Sequence, residues 1–188
     1  MKLILASKSP RRSELLRRCG FDFTVKCVPA EELGDFPELA LLPQENARRK
    51  AAAAAEFYPD DLILGADTMI IFDGRAIGKP ADAADAAEIL RNFSGKAHDV
   101  VTGIALICRS RNICELWSET SQVRFKTLDD ATVKSYIRQV DVLDKAGAYA
   151  IQEHGEMIIA GYSGELENII GLPLKKLQMR LNELLSGQ

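Results

Sequence analysis

The stretch LILASKSPRRSELLRRCGFDFTVKCV, residues 3–28, reads as a strand, a helix and a second strand. Leu3 to Leu5 form a short apolar run, Ser9 is a good N-cap, and Pro10 suits the first helical position, where an N–H has no helical partner anyway. Gly20 stops the helix before FDFTVKCV, residues 21–28, resumes an extended pattern. A strand that returns through a helix to another strand is the crossover of a parallel sheet, so the fold starts as α/β.

Arg11 and Arg12 fall in the first turn of that helix, the end that already carries roughly half a positive charge. Each misplaced exposed cation costs on the order of 0.3–1 kcal/mol, which solvated arginines tolerate. The alternative is a multivalent anion, with phosphate the obvious candidate, docked where free backbone N–H groups, a hydroxyl and two guanidiniums converge.

The rest of the chain mixes crossovers with hairpins. Residues 29–43 form an acidic loop with Glu31, Glu32 and three prolines, and QENARRKAAAAAEF, residues 44–57, is a helix that Pro59 ends. DLILGADTMIIF, residues 61–72, is an apolar strand, Asp73-Gly74 is a turn, and residues 82–93 form a helix closed by Ser94-Gly95. Residues 98–108 and 114–126 are strands around the polar turn RSRN, an antiparallel hairpin. Thr127 and Asp130 are expected to cap a helix reaching about Val140. AGAYAIQ (146–152) and EMIIAGY (156–162) are expected to pair as strands, and Pro173 to open the C-terminal helix. The expectation is an α/β protein on a long mixed sheet with flanking helices, without internal repeats or linkers.

With 188 residues and 47% hydrophobic content, the chain fills one domain, 1–188, or a two-lobed variant of it. The net charge of −3 supplies no global basic field for nucleic acid or an acidic membrane, so an anion site must be built locally. Cys19, Cys27, Cys108 and Cys114, with His98 and His154, lack zinc-ligand spacing and read as thiols of a reducing compartment. No signal-type or membrane-spanning run occurs, which makes the cytoplasm the expected location.

Phosphate-binding and nucleophile motifs of the G-x-x-x-x-G-K-[ST], G-x-G-x-x-G and G-x-S-x-G types are absent, so phosphate chemistry here needs discrete side chains and a metal ion. Asp67 stands within an apolar strand, where an unpaired carboxylate is costly. It is either a cap of the turn after Gly65 or a strand-end carboxylate that binds a divalent ion or takes a proton from water. Thr68 beside it offers a hydroxyl. Lys50 and Lys79, taken alone, read as surface lysines. Asp144-Lys145 pairs opposite charges, and Gln152 is a strand-end amide that both donates and accepts. His98 has no identified partner and stays outside the catalytic set, while Asn168 caps a turn or lines a cleft.

The ordered segments LASKSPRR (5–12), RRKAAAAA (48–55), GADT (65–68), GKP (78–80), SGKAHDVVTG (94–103), DKAGAYAIQ (144–152) and GLPL (171–174) resemble the Maf family of nucleoside triphosphate pyrophosphatases over nearly the whole chain. The resemblance implies a two-lobed Maf/ITPase-like α/β fold around a central cleft, often as a homodimer. It implies a cytoplasmic enzyme that cleaves a nucleoside triphosphate between the α and β phosphates with a divalent cation, Mg²⁺ or Mn²⁺. It also implies links to septum formation and to removal of modified nucleotides. Asp67 looks like the family's proton acceptor, and Ser7, Arg12, Lys50 and Lys79 fall on its phosphate-contacting positions. Glu32 matches a carboxylate position that would share the metal with Asp67. Arg11, Thr68 and Gln152 match the branch acting on dTTP and UTP. The branch acting on 7-methyl-GTP has an aromatic residue in place of Arg11 and lacks that threonine and glutamine. EHGEM, residues 153–157, departs from the glycine-rich turn of many dTTP/UTP members, which puts the pocket wall and the strictness of base preference in question.

The chemistry is consistent with that carry-over. A triphosphate carries about four negative charges near neutral pH, and attack at its α-phosphorus requires cations on the oxygens, here Arg11, Arg12, Lys50 and Lys79. The rival class is a nucleotide-binding regulator of cell division with little hydrolysis, against which a carboxylate beside phosphates argues. A nucleic-acid-binding module is disfavoured by the charge balance and the single tryptophan.

Overall fold

The computed structural model of the chain describes residues 1–186. Strand β1 (Leu3–Leu5) lies between β2 (Phe23–Val25) and β3 (Leu62–Phe72) and runs parallel to both. Each return passes through a helix, α1 (Pro10–Arg18) and then α2 (Leu42–Ala55). Strand β4 (Arg75–Ile77) folds back antiparallel on β3 through Asp73 and Gly74, whose φ values of 48° and 71° match the tight turn of a twisted hairpin. Helix α3 (Ala83–Phe93) leads to the hairpin of β5 (Ala97–Cys108) and β6 (Ile113–Phe125). Then come α4 (Asp130–Gln139), α5 (Gly155–Ile158), β7 (Ile159–Ser163), α6 (Leu166–Ile170) and α7 (Leu174–Ser186). The strands form one seven-stranded mixed sheet in the order β2-β1-β3-β5-β6-β7, with β4 on β3, which is the α/β architecture expected.

The chain divides into two compact units. The first comprises Met1–Thr68, Thr102–Glu119 and the chain from Gly171 on. Under α2 its core is lined by small residues: Ala47, Ala51, Ala54 and Ala55 of the helix pack on Ile4, Ile63, Ala105 and Ile107 of the strands. Two glycines let α2 lie directly on the sheet. A Cβ on Gly65 would stand 2.2 Å from the carbonyl oxygen of Ala47, and one on Gly103 would stand 2.2 Å from the amide nitrogen of Gln44. The second unit, Met69–Val101 and Thr120–Ile170, has an aromatic core in which Phe93 of α3, Phe125 of β6, Tyr136 of α4 and Tyr149 are buried together.

Four expectations are corrected. AGAYAIQ is not a strand: Gly147 and Ala148 take φ values of 69° and 61°, which break extended pairing, and residues 151–154 are a turn. Of EMIIAGY only the second half is extended, since α5 takes the first. The cap of α4 is Asp129 rather than Thr127, because its carboxylate accepts the Thr132 N–H at 2.8 Å and places the first helical residue at Asp130. Helix α2 also starts two residues earlier than expected, with Pro43 inside its first turn.

Candidate active site

The first unit gathers six of the sequence-predicted residues, Ser7, Arg11, Arg12, Lys50, Asp67 and Thr68, together with Glu32. Successive residues of a strand point to opposite faces, so Asp67 and Thr68 of β3 serve different neighbours. Asp67 faces α2, as Gly65 does two residues earlier. Thr68 faces the helix start that carries the two arginines.

On the Thr68 side, Arg12 spends its fork on three acceptors. Its Nε donates to the Gly171 carbonyl at 2.9 Å, one Nη to Ser7 Oγ at 3.1 Å and the other to Thr68 Oγ1 at 3.0 Å. Ser7 Oγ in turn accepts the Ser9 N–H at 3.2 Å, and the Thr68 and Thr102 hydroxyls stand 3.0 Å apart. Ser9 caps α1 as its sequence position requires, accepting the Arg12 N–H at 3.5 Å. The guanidinium is held below its ordinary pKa chiefly by desolvation, with Asp67 pulling the other way. It stays charged at any working pH. Arg11, in the same turn, is half-buried and near enough to repel Arg12.

On the Asp67 side, Lys50 Nζ stands 2.7 Å from Asp67 Oδ1 and 3.0 Å from Glu32 Oε2. Asn46, one helical turn before Lys50 and on the same face of α2, points its Nδ2 at Asp67 Oδ2 at 3.5 Å. The close approach at Gly65 is what brings both side chains within reach of the strand. The side chains of Asp67 and Lys50 are 17% and 18% exposed, so this pair is reachable from solvent yet largely desolvated.

The donor set can be tested for a divalent cation. Two carboxylates already converge on one positive charge, the Lys50 ammonium, which stands in for a cation between them. Among the described residues no cluster of three or more His, Cys, Asp or Glu side chains could form an all-protein cage. A pair of carboxylates completed by water and ligand phosphates is the usual holder of Mg²⁺, and the two carboxylates here fit that pattern.

The second unit carries the other two. Lys79 is exposed on the loop after β4, where the carbonyl of Gly78 accepts the Gly147 N–H at 2.9 Å. Gln152 is exposed on the turn 151–154, not at a strand end. Lys145 is buried and bonds Asp144 at 2.7 Å and Glu153 at 3.3 Å. His98 belongs to the core: its Nε2 lies 2.8 Å from the Tyr149 hydroxyl, its ring stacks on Phe93 at 4.3 Å, and burial lowers its pKa to about 4. Asn168 is buried and donates to Val100 O and Ser121 Oγ, both at 3.0 Å, tying α6 to β5 and β6.

Sequence reasoning missed Asn46, Thr102 and the Gly171 carbonyl. The available signal was Asn46 itself, a polar residue four positions before Lys50 in an alanine-rich helix.

The family description "Maf-like protein" matches residues 2–184. The chain belongs to the Maf family. Among Maf relatives, the dTTP/UTP pyrophosphatase of Akkermansia muciniphila is 41% identical, over 97% of this chain and 96% of that protein. The dTTP/UTP pyrophosphatase of Bacillus cytotoxicus is 38% identical, over 99% of this chain and 97% of its own. Among solved structures, the Ham1 protein of Staphylococcus aureus covers 98% of this chain, and the match covers all of that protein, with a TM-score of 0.56 at 17% identity. This is a shared α/β fold.

Proposed function

We propose that this Maf protein is a nucleoside triphosphate pyrophosphatase, working as one domain over residues 1–188, that hydrolyses dTTP and UTP to the monophosphate and pyrophosphate. The observation that carries the reading is the 2.7 Å pair of Asp67 with Lys50, beside a strand neighbour that holds Arg12. A carboxylate flanked by two fixed cations suits a water nucleophile attacking a polyanion. The names of the Akkermansia and Bacillus relatives support the substrate class.

In this reading a water oxygen attacks the α-phosphorus, the bond from that phosphorus to the α,β-bridging oxygen breaks, and pyrophosphate leaves with that oxygen and the electron pair. Asp67 accepts the proton of the water, which is worth about 10²–10⁴-fold for a positioned base. Arg12, held in place by Ser7, Thr68 and the Gly171 carbonyl, presents its charge to the phosphates without reorganising. Lys50 releases Asp67 when the phosphates offer it a stronger partner. Arg11 adds a second guanidinium from the same helix start, and Thr68 acts on specificity by holding Arg12. Lys79 and Gln152 of the second unit keep the phosphate-contacting and base-selecting roles that the family resemblance gives them. Glu32 and Asp67 would hold the divalent cation, Mg²⁺ or Mn²⁺, which when bound supplies charge neutralisation on the phosphate oxygens.

The four cysteines are free thiols, which supports a reducing, cytoplasmic setting. Among the described residues no helix is long and apolar enough to cross a membrane. Homodimerisation rests on the family resemblance alone.

The test is pyrophosphate release from dTTP, UTP, ATP, GTP and 7-methyl-GTP, with Mg²⁺ or Mn²⁺ and after chelation. Higher kcat/KM for dTTP and UTP, lost on chelation and restored by the cation, is the expected result. A purine preference overturns the base assignment, and full activity after chelation overturns the metal.

A further inference from the structure

Glu32 presents a puzzle of position. It sits in a segment, residues 26–38, that contains no helix or strand, and its side chain is 55% exposed. A carboxylate on such a segment samples many positions, and ordering the backbone costs conformational entropy at every residue. Yet Glu32 reaches Lys50 at 3.0 Å, on the same ammonium that Asp67 holds.

The residue after Glu32 supplies the explanation. Asn46, 4% exposed, accepts the Leu33 N–H on its Oδ1 at 2.8 Å and donates from Nδ2 to the Leu33 carbonyl at 3.1 Å. One amide therefore closes both backbone groups of Leu33, and that pairing leaves only one orientation of the amide. The same Nδ2 points toward Asp67 Oδ2 at 3.5 Å. Besides the Lys50–Glu32 pair itself, α2 also reaches this stretch through Arg49, whose Nη1 stands 3.5 Å from the Glu31 carbonyl.

We infer that Asn46 is a positioning residue that fixes Glu32 against Asp67, so that the two carboxylates form one cation-holding pair. Asn46 touches neither substrate nor metal; it acts through the backbone of Leu33. The inference rests on the reading of Glu32 and Asp67 as the holders of the divalent cation. Alanine at 46 is a better helix former than asparagine, so the helix itself gains by the change, while the part-buried N–H and carbonyl of Leu33 lose their partners. A purely structural asparagine would then show its loss in stability alone.

The experiment measures Mn²⁺ binding by calorimetry in the presence of a non-hydrolysable α,β-imido analogue of dTTP. The proteins are wild type, Asn46→Ala, Glu32→Gln and the double variant. Amide hydrogen exchange at Leu33 and melting temperature are followed on the same preparations. Asn46→Ala and Glu32→Gln are each expected to raise the Mn²⁺ Kd about tenfold, the double variant no further than either, because both remove the same ligand. Exchange at Leu33 accelerates in Asn46→Ala and not in Glu32→Gln. At saturating Mn²⁺ the kcat of Asn46→Ala returns toward wild type. Should Asn46→Ala fail to fold, Leu33→Pro removes the same N–H from the loop side, leaves α2 untouched and is expected to raise the Mn²⁺ Kd alike. If Glu32→Gln weakens Mn²⁺ while Asn46→Ala and Leu33→Pro do not, the inference falls and the metal reading stands. If Glu32→Gln leaves the Mn²⁺ Kd unchanged, the metal role of Glu32 falls and takes the inference with it. Additive effects in the double variant also overturn it.

Discussion

Lys50 Nζ stands 2.7 Å from Asp67 Oδ1, and the same nitrogen is 3.0 Å from Glu32. In the proposed reaction Asp67 is the base, and it shares the Lys50 ammonium with Glu32 until a polyanion draws the lysine away. Asp67→Asn keeps the shape of the side chain and removes the charge that accepts a proton. Turnover should fall by about 10²-fold or more, with triphosphate affinity kept, since one negative charge next to the phosphates is gone. The melting temperature should move little, because Lys50 keeps Glu32 as partner. If Asp67 were only a turn cap, kcat would stay near wild type and the loss would appear in melting temperature, so both are measured on one preparation.

Arg12 offers a second test. Its three nitrogens donate to three different acceptors, and an ammonium on a flexible stem cannot reproduce that fork. Arg12→Lys should lower kcat/KM for dTTP by about 10²-fold while keeping the formal charge, if held geometry rather than charge is the requirement. Thr68→Val, which removes one acceptor of the fork, should produce a smaller loss in the same direction. Equal activity of Arg12→Lys and wild type would show that only the charge matters.

The parts of the fold carried by local signals were legible. Ser9-Pro10 announced α1, Asp73-Gly74 the tight turn, and the apolar runs the long strands, because caps, turns and burial act over a few neighbouring residues. AGAYAIQ was not, since nothing in its small side chains reveals the positive φ of Gly147 and Ala148. Asp67 was legible because a carboxylate in an apolar strand demands a partner. The partner's identity was not, since Lys50, 17 residues before Asp67, reaches it only through the contact of α2 with Gly65, which packing decides. Asn46 was hidden for the same reason: its partner Leu33 lies in a loop with no pattern of its own.

Gly65 tests how the site is assembled. A Cβ there would stand 2.2 Å from the Ala47 carbonyl oxygen and 2.9 Å from the Ala51 side chain, and the first of these is backbone that cannot rotate away. Gly65→Ala must push α2 off β3, and overpacking of this kind costs about 1–3 kcal/mol. Because Asn46 and Lys50 ride on α2, the variant should lose activity beyond its loss of stability, even at a temperature where it is fully folded. Unchanged kcat/KM in a folded Gly65→Ala would show that the seating of α2 does not set the Asp67–Lys50 geometry.

His98 makes the acid stability of the second unit predictable. Burial lowers its pKa from 6.5 to about 4, so the folded protein keeps the ring neutral where the unfolded chain protonates it. Above pH 6.5 both states are neutral and His98 contributes nothing to pH dependence. As the pH falls from 6.5 toward 4 the unfolded state binds more protons, and stability drops by at most about 1.4 kcal/mol per pH unit. Below 4 the folded state takes the proton too, and this contribution levels off. Ion-paired carboxylates such as Glu45, pulled down to about 2 by Arg48, lose stability in the same direction but mainly below pH 5, so the histidine must be isolated by difference. Unfolding free energy from urea titrations between pH 4.5 and 7.5 should therefore fall less steeply in His98→Gln than in wild type, even though the variant is less stable at pH 7.5 for want of the stacking on Phe93. Parallel slopes in the two proteins would mean that the His98 ring is protonated in the folded state as readily as in the unfolded one, and that the Tyr149 hydroxyl, 2.8 Å away, accommodates the charge.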